Sequence, residues 1–259
     1  MTPFPISDGI FEIVRQDISL TSMPVEMEGI RVVQLSDLHR GSGKNFDIVI
    51  QSAINRANAI EPDYIFLTGD YVNQRRSDIL PVVQLLTGLR AKCGIYAVLG
   101  NHDHRADPAL IESALSAARI HVLNNRAIQL PGGLWLAGVD DILEGEGDLS
   151  IALSNVPDNE PLILLAHNPN IMQQIHPNRE MVVLAGHTHA GQYHFPFLPP
   201  ALICKLHLNT WYVQGWYRKN KASLYINGGI GVAGIGPTAF RYRCPSEITV
   251  FHLRKLEGA

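Results

Sequence analysis

Cysteine is scarce: the 259 residues hold three, Cys93, Cys204 and Cys244. Their odd number and wide spacing exclude a disulfide framework and a Cys-x-x-Cys metal knuckle, and point to a reducing compartment. Long apolar runs are absent too, since none approaches the roughly 20 residues that a membrane span requires. The N-terminus, Met1-Thr2-Pro3-Phe4-Pro5, has neither a basic region nor an apolar core, so it does not read as a signal peptide. These absences predict a soluble cytoplasmic protein. An excess of basic residues is also missing, and a net charge of −3 argues against a dedicated nucleic-acid binder. The charge is unevenly spread, however. Residues 201–259 carry eight Lys/Arg against two acids, while the first 200 carry 13 bases and 22 acids. An acidic body with a basic C-terminal part suits an anionic substrate, although a solvated surface explains the same pattern.

What is present is an ordinary globular composition, 46% hydrophobic and 17% charged, with a recurring local grammar. Five apolar runs of strand character each end in residues able to bind metal or move protons. Arg31–Ser36 leads into Asp37-Leu38-His39, and Tyr64–Thr68 into Gly69-Asp70. Ile95–Leu99 leads into Gly100-Asn101-His102-Asp103, Leu162–Ala166 into His167, and Met181–Ala185 into Gly186-His187-Thr188-His189. Strands that finish at one edge of a sheet bring such residues together, and ligands bind at that edge in open α/β sheets. Helical spacing over 46–59 and 77–90, and an Asp107-Pro108 helix entry running to about Ala118, give β-α-β-α alternation and a largely parallel sheet. After Arg119 short strands take over at 120–123, 127–130 and 134–139. A short helix follows at 149–153, then strands and long loops to Leu253 with a glycine-rich passage at 228–236. Residues 10–20 read as an edge strand, followed by a loop closed by Pro24 and Gly29. The expectation is one domain over 1–259 that contains two sheets.

The candidate metal ligands are Asp37, His39, Asp70, Asn101, His167, His187 and His189. Carboxylate, amide and imidazole groups suit manganese, iron or zinc, with manganese expected. Seven ligands exceed what one tetrahedral ion uses, so two divalent ions sharing a carboxylate fit the count. Two ions about 3.5–4 Å apart hold a phosphate and generate hydroxide at neutral pH. His102, next to a candidate ligand, is placed to protonate a leaving alkoxide, and Asp103 to orient it. Taken singly, each element favours a mundane reading: Gly-Asp after a strand is usually a turn, and His-x-His also occurs on exposed loops. Five in order, each after a strand, do not. The remaining histidines, among them His104 and His207, read as surface or packing residues.

These blocks resemble the calcineurin-like metallophosphoesterases, whose Asp-x-His, Gly-Asp, Gly-Asn-His-Asp/Glu, His and Gly-His-x-His signature is complete here over roughly residues 30–253. The resemblance implies a four-layer α-β-β-α sandwich of two mixed sheets flanked by helices. It implies further that Asp37, His39 and His189 hold one metal, that Asn101, His167 and His187 hold the other, and that Asp70 bridges. His102 would serve as general acid or transition-state stabiliser. Ser36-Asp37-Leu38-His39, Gly138-Val139-Asp140-Asp141, His167-Asn168-Pro169 and Gly186–Gln192 are similar to a bacterial branch with membrane-linked phosphodiesterases and a UDP-2,3-diacylglucosamine pyrophosphatase of lipid A synthesis. Ala190 stands where that branch commonly has glycine, and the N-terminal membrane helix that many members carry is not expected from the residues here.

Seven of the nineteen aromatic residues fall in 193–217, with Arg218 and Lys219 directly after. Pro196, Pro199 and Pro200 argue against a regular helix at the start of this stretch. Aromatic groups beside cations, over 193–221, suit a lipid-linked phosphate or peripheral contact with the inner membrane face. A satellite core under a long loop is the alternative. Arg40, Asp141, Trp211 and Trp216 are the expected substrate contacts. The leading reading is a phosphodiesterase or pyrophosphohydrolase acting on a small or lipid-linked phosphate. A non-catalytic metal-binding scaffold has no need of His102, and a metal-dependent nuclease lacks a basic groove.

Overall fold

All five residues of Tyr64-Ile65-Phe66-Leu67-Thr68 are buried, because the strand they form is covered on both faces. Side chains alternate along a strand. Ile65 and Leu67 therefore enter one hydrophobic core while Tyr64 and Phe66 enter another. The computed structural model describes residues 11–43, 46–234 and 239–255. The residues read as lacking a signal peptide, and positions 235 and 236 of the glycine-rich passage, lie outside the described residues.

The chain begins with β1 (Phe11–Leu20), β2 (Arg31–Leu35), α1 (Phe46–Ala59), β3 (Tyr64–Thr68), α2 (Ile79–Leu86) and β4 (Gly94–Val98). It continues with α3 (Asn101–Ala106), α4 (Pro108–Ala117), β5 (His121–Val122), β6 (Arg126–Gln129), β7 (Trp135–Gly138), α5 (Leu149–Ala152) and β8 (Leu162–Leu165). It ends with β9 (Met181–Ala185), α6 (Pro200–Leu208), β10 (Gly215–Lys219), β11 (Ala222–Ile226) and β12 (Ser246–Lys255).

Two six-stranded mixed sheets result, in the orders β1-β12-β2-β3-β4-β5 and β10-β11-β9-β8-β7-β6. In the first, β2 through β5 are parallel and β12 runs antiparallel to β2. In the second, β7, β8, β9 and β11 are parallel, with antiparallel β6 and β10 at the edges. Phe66, Tyr96 and Val98 of one sheet meet Leu136, Leu165 and Leu184 of the other in the central core. Helices α1, α2 and α4 cover the outer face of the first sheet. Among the described residues, the outer cover of the second comes from α5, the 3-10 turn at Pro169–Gln173 and flanking side chains such as Val156 and Ile175. This is the α-β-β-α order of layers. The first strand lies at a sheet edge as expected, paired in parallel with β12.

The expectation about prolines is corrected. Helix α6 starts at Pro200, where a missing backbone N–H would have no intrahelical partner and the ring's fixed φ already suits a helix. The prolines open this helix, and Asn209 closes it in the left-handed conformation at φ 50°. Among the described residues no helix is long and apolar enough to cross a membrane.

Candidate metal centre

Each predicted ligand sits just beyond the C-terminal end of a parallel strand: Asp37 and His39 after β2, Asp70 after β3, Asn101 after β4, His167 after β8, and His187 and His189 after β9. Five of them take positive φ without being glycine: Asp37 54°, His39 46°, Asp70 57°, His187 72° and His189 52°. Such conformations cost of order 1–3 kcal/mol each and persist only where surrounding structure imposes them. The imposing bonds are on the backbone. Asp37 N–H donates to the Gly69 carbonyl at 2.9 Å and His39 N–H to that of Asp70 at 3.0 Å. Gly186 links the two sheets, because a side chain there would collide with Ser36 Oγ and the Asp37 carboxylate.

The donor atoms converge in two groups that share one oxygen. Asp70 Oδ2 lies 3.3 Å from His39 Nε2 and 3.2 Å from His167 Nε2. On one side, His189 Nε2 lies 3.2 Å from Asp37 Oδ1 and 2.9 Å from His39 Nε2. On the other, His187 Nδ1 lies 3.2 Å from His167 Nε2. All six side chains are buried. His167 tests whether a cation fits. Its Nδ1 lies 2.7 Å from the Thr68 carbonyl and so carries the proton there, which turns the Nε2 lone pair toward a carboxylate oxygen. Two facing lone pairs need a proton or a metal between them. Among the described residues Asn101 Oδ1 and His187 Nε2 are buried without hydrogen-bond partners, and the oxygen and nitrogen donor set suits divalent ions.

The protonation of these groups follows from that crowding. Burial opposes charge on His39, but its bonds to Asp37 and Asp70 push its pKa up to about 9. Burial likewise opposes charge on His167, and the Asp70 carboxylate overrides it, holding the ring well above the usual range. Burial, reinforced by the charge of His167, takes His187 down to about 3. Burial also holds His189 well below its ordinary value. Against burial, the neighbouring histidines keep the Asp37 and Asp70 carboxyls well below theirs.

His102 and Asp103 do not form the expected pair. His102 donates its backbone N–H to Asp70 Oδ1 at 2.9 Å, and its Nδ1 contacts the Asn73 carbonyl. The Asp103 carboxylate turns instead to backbone, accepting from Asp70 at 2.8 Å, Tyr71 at 2.9 Å and Gly100 at 3.0 Å. As the third residue of α3 it reaches back to the helix entry, half of a capping box, so it fixes the β3 and β4 loops and leaves the His102 ring alone.

A cavity of about 570 Å³ opens on Asp70, Asn101, His102, His187 and His189. None of the four expected substrate contacts lines it. Arg40 is held by Asp47 at 2.8 Å and by Asp78. Asp141 is buried and accepts from the Leu143 and Glu144 amides. Trp211 is exposed with Lys205 over its ring, and Trp216 packs on Tyr225 while donating to Gln16 Oε1 at 2.9 Å. The wall comes from Arg105, Leu143, Tyr193, Ile203 and His207. Tyr193, Ile203 and His207 fall in the 193–221 stretch that the sequence sets beside the site, although its prolines hide α6 and so the individual contacts; Arg105 has only its place in the segment after His102. His104, read as surface or packing, binds Asp140 Oδ1 at 2.7 Å and braces the loop that carries Leu143.

A family model described as calcineurin-like phosphoesterase matches residues 30–191. The uncharacterized metallophosphoesterase YkuE of Bacillus subtilis is 29% identical over 255 residues, covering 95% of this chain and 86% of that protein. A transmembrane protein with metallophosphoesterase domain from Danio rerio is 30% identical over 94% of this chain, which spans only 57% of that relative. The UDP-2,3-diacylglucosamine pyrophosphatase LpxG of Chlamydia muridarum is 22% identical, over 95% of this chain and 90% of that protein. In fold, the Haemophilus influenzae NAD nucleotidase superposes with a TM-score of 0.51 at 13% identity, over 82% of this chain and 54% of that one. With the five ligand-bearing strand ends in one place and the family match spanning all of them, the chain belongs to the calcineurin-like phosphoesterases, which makes it a metal-dependent phosphoesterase.

Proposed function

We propose that the whole chain works as one domain and hydrolyses a phosphodiester or pyrophosphate at a two-ion centre, with manganese as the ion. The observation that carries this is the shared oxygen: Asp70 Oδ2 belongs to both groups of donors. Asp37, His39 and His189 would hold one ion, Asn101, His167 and His187 the other, with Asp70 common to both. When bound, the ions supply charge that polarises a phosphoryl group and a nucleophile at neutral pH. The protein's own groups do the rest. His102, with Nδ1 donating to the Asn73 carbonyl, keeps Nε2 free; in its doubly protonated form, which burial opposes and the Asp70 carboxylate favours, it would give the Nε2 proton to the departing oxygen. Asp103 holds the two loops that set Asp70 and Asn101.

The substrate proposed is a lipid-linked phosphate or nucleotide sugar such as UDP-2,3-diacylglucosamine, met at the inner face of the cytoplasmic membrane. Ile203 of α6 lines the cavity, while Leu206 of the same helix is exposed, as are Phe197 and Trp211 in the segments before and after it. Lys205, Arg218 and Lys219 are near in sequence and suit an anionic lipid surface. The similarity to the Chlamydia pyrophosphatase points the same way. The test is hydrolysis of mono-, di- and pyrophosphate esters by metal-stripped protein reloaded with manganese, iron or zinc. Manganese-dependent cleavage of diesters or pyrophosphates is expected; no turnover with any of the three metals sinks the proposal.

A further inference from the structure

Arg241 is 3% exposed and has no carboxylate partner among the described residues. Four of its five N–H groups donate to carbonyls or to sulfur. Nε donates to the Gly231 carbonyl at 2.9 Å; Nη1 donates to the His189 carbonyl at 3.2 Å and to Cys244 Sγ at 3.6 Å. Nη2 donates to the Gly228 carbonyl at 2.7 Å and lies 3.4 Å from Nδ1 of the His189 ring. One rigid fork thus grips the main chain of His189, against whose ring it lies, together with both ends of the turn 228–231. That turn in turn carries the loop before it: Ile230 N–H donates to the Ser36 carbonyl at 2.9 Å, and Gly231 N–H to that of Asp37 at 2.7 Å. A Cβ on Gly229 would stand 2.8 Å from Asp37 Cβ and 3.1 Å from Arg241 Nη2, so the guanidinium lies directly behind this pair of residues. Glu247 holds the far side of the turn, accepting from Gly228 N–H at 2.9 Å.

The sign of the charge narrows the role. A buried cation behind a cation site repels the ion, so any help Arg241 gives must come from geometry. Geometry is also what its contacts provide, since they fix two residues, Asp37 and His189, that come from different sheets. We propose that Arg241 is the positioning residue of the Asp37/His39/His189 half of the centre and sets the divalent-ion affinity of that half alone. None of its bonds reaches Asn101, His167 or His187. The proposal rests on the two-ion reading above.

Arg241→Gln and Arg241→Lys separate fork from charge, because lysine keeps the charge but cannot span Gly228, Gly231 and His189 at once. Metal-stripped wild type and both variants would be titrated with manganese by equilibrium dialysis, with amide exchange followed at Ile230 and Gly231. Wild type is expected to bind two ions. Both variants should bind one as before and the other about 10–100-fold more weakly, the usual cost of removing a group that orients a ligand. The Ile230 and Gly231 amides should lose protection in both. Two ions bound at wild-type affinity in the variants would overturn the proposal, as would full rescue by lysine or equal weakening of both ions. Failure of both variants to fold also overturns it, since a local clamp leaves the cores standing. A wild type binding fewer than two ions removes the two-ion reading itself, and this proposal with it.

Discussion

Asp70 Oδ2 is within 3.3 Å of ring nitrogens from both halves of the centre, so neutralising it disturbs both at once. Asp70→Asn is expected to abolish turnover and lower the manganese content from two ions. Normal activity with two tightly bound ions would defeat the assignment of a shared carboxylate. His102 differs because its ring lines the cavity at the edge of the donor groups and touches the His39 ring edge-on. His102→Ala should keep both ions while kcat falls by about 10²–10⁴, the range for a positioned proton donor. The fall should be smaller for p-nitrophenyl esters, whose leaving group scarcely needs a proton. An equal fall on good and poor leaving groups would favour electrostatic stabilisation over proton donation. All seven proposed ligands were legible at this scale, because each stands just after an apolar run. Asp103 was legible as a member of the site but not in its partners, since nothing in Asn-His-Asp tells whether a carboxylate faces a ring or a backbone amide.

Among the elements, the buried strands read clearly because both faces are covered and their sequences are continuously apolar. The short strands β5 to β7 were found to within a residue or two. Helix α6 is hidden in the sequence, since Pro199-Pro200 reads as a bar to a helix that Pro200 in fact begins. It matters for function. Ile203 and His207 face the cavity and Leu206 is 72% exposed, so the same helix joins the site to an apolar rim. Leu206→Ala with Trp211→Ala should leave hydrolysis of a small soluble diester nearly intact and raise KM for a lipid-linked phosphate. The expected size is about 1–3 kcal/mol, the worth of partly burying such side chains. A lower melting temperature with equal losses on every substrate would show instead that the rim is structural. Trp216 belongs to a different argument, since it packs on Tyr225 and Phe251 and its removal should destabilise the sheet edge.

For the molecule as a whole, the crowding of buried histidines makes stability depend on pH and on metal. His39, with its folded pKa at about 9 and an unfolded value near 6.5, contributes stability that is full below about pH 6.5 and lost as pH rises through 9. His187 runs the other way: buried neutral at about 3, it contributes stability present above about pH 6.5 and lost as pH falls through 3. Metal-free protein should therefore melt highest near pH 6–7. Manganese should remove the alkaline decline, because the ion replaces the proton that His39 and His167 share with Asp70. Melting temperatures across pH 5–9, with and without manganese, check this; a metal-free melting temperature that climbs steadily to pH 9 would contradict it.

The sequence by itself determined which residues are chemically able to form the centre, and that two covered sheets would present them. Both are local properties: apolar runs of strand length, and polar residues at their ends. Only the tertiary structure decided which atoms face which. His187 follows β9 and Asp37 follows β2 in different sheets, yet the His187 N–H donates to the Asp37 carboxylate at 3.1 Å, a closeness made possible by Gly186 between them. It likewise turned Arg40 and Asp141 away from the cavity into ion pairs and loop bonds, and brought in Arg105, His207 and Arg241. No spacing announces such contacts. They join segments up to 150 residues apart, and their distances are set by how two sheets pack across a shared core.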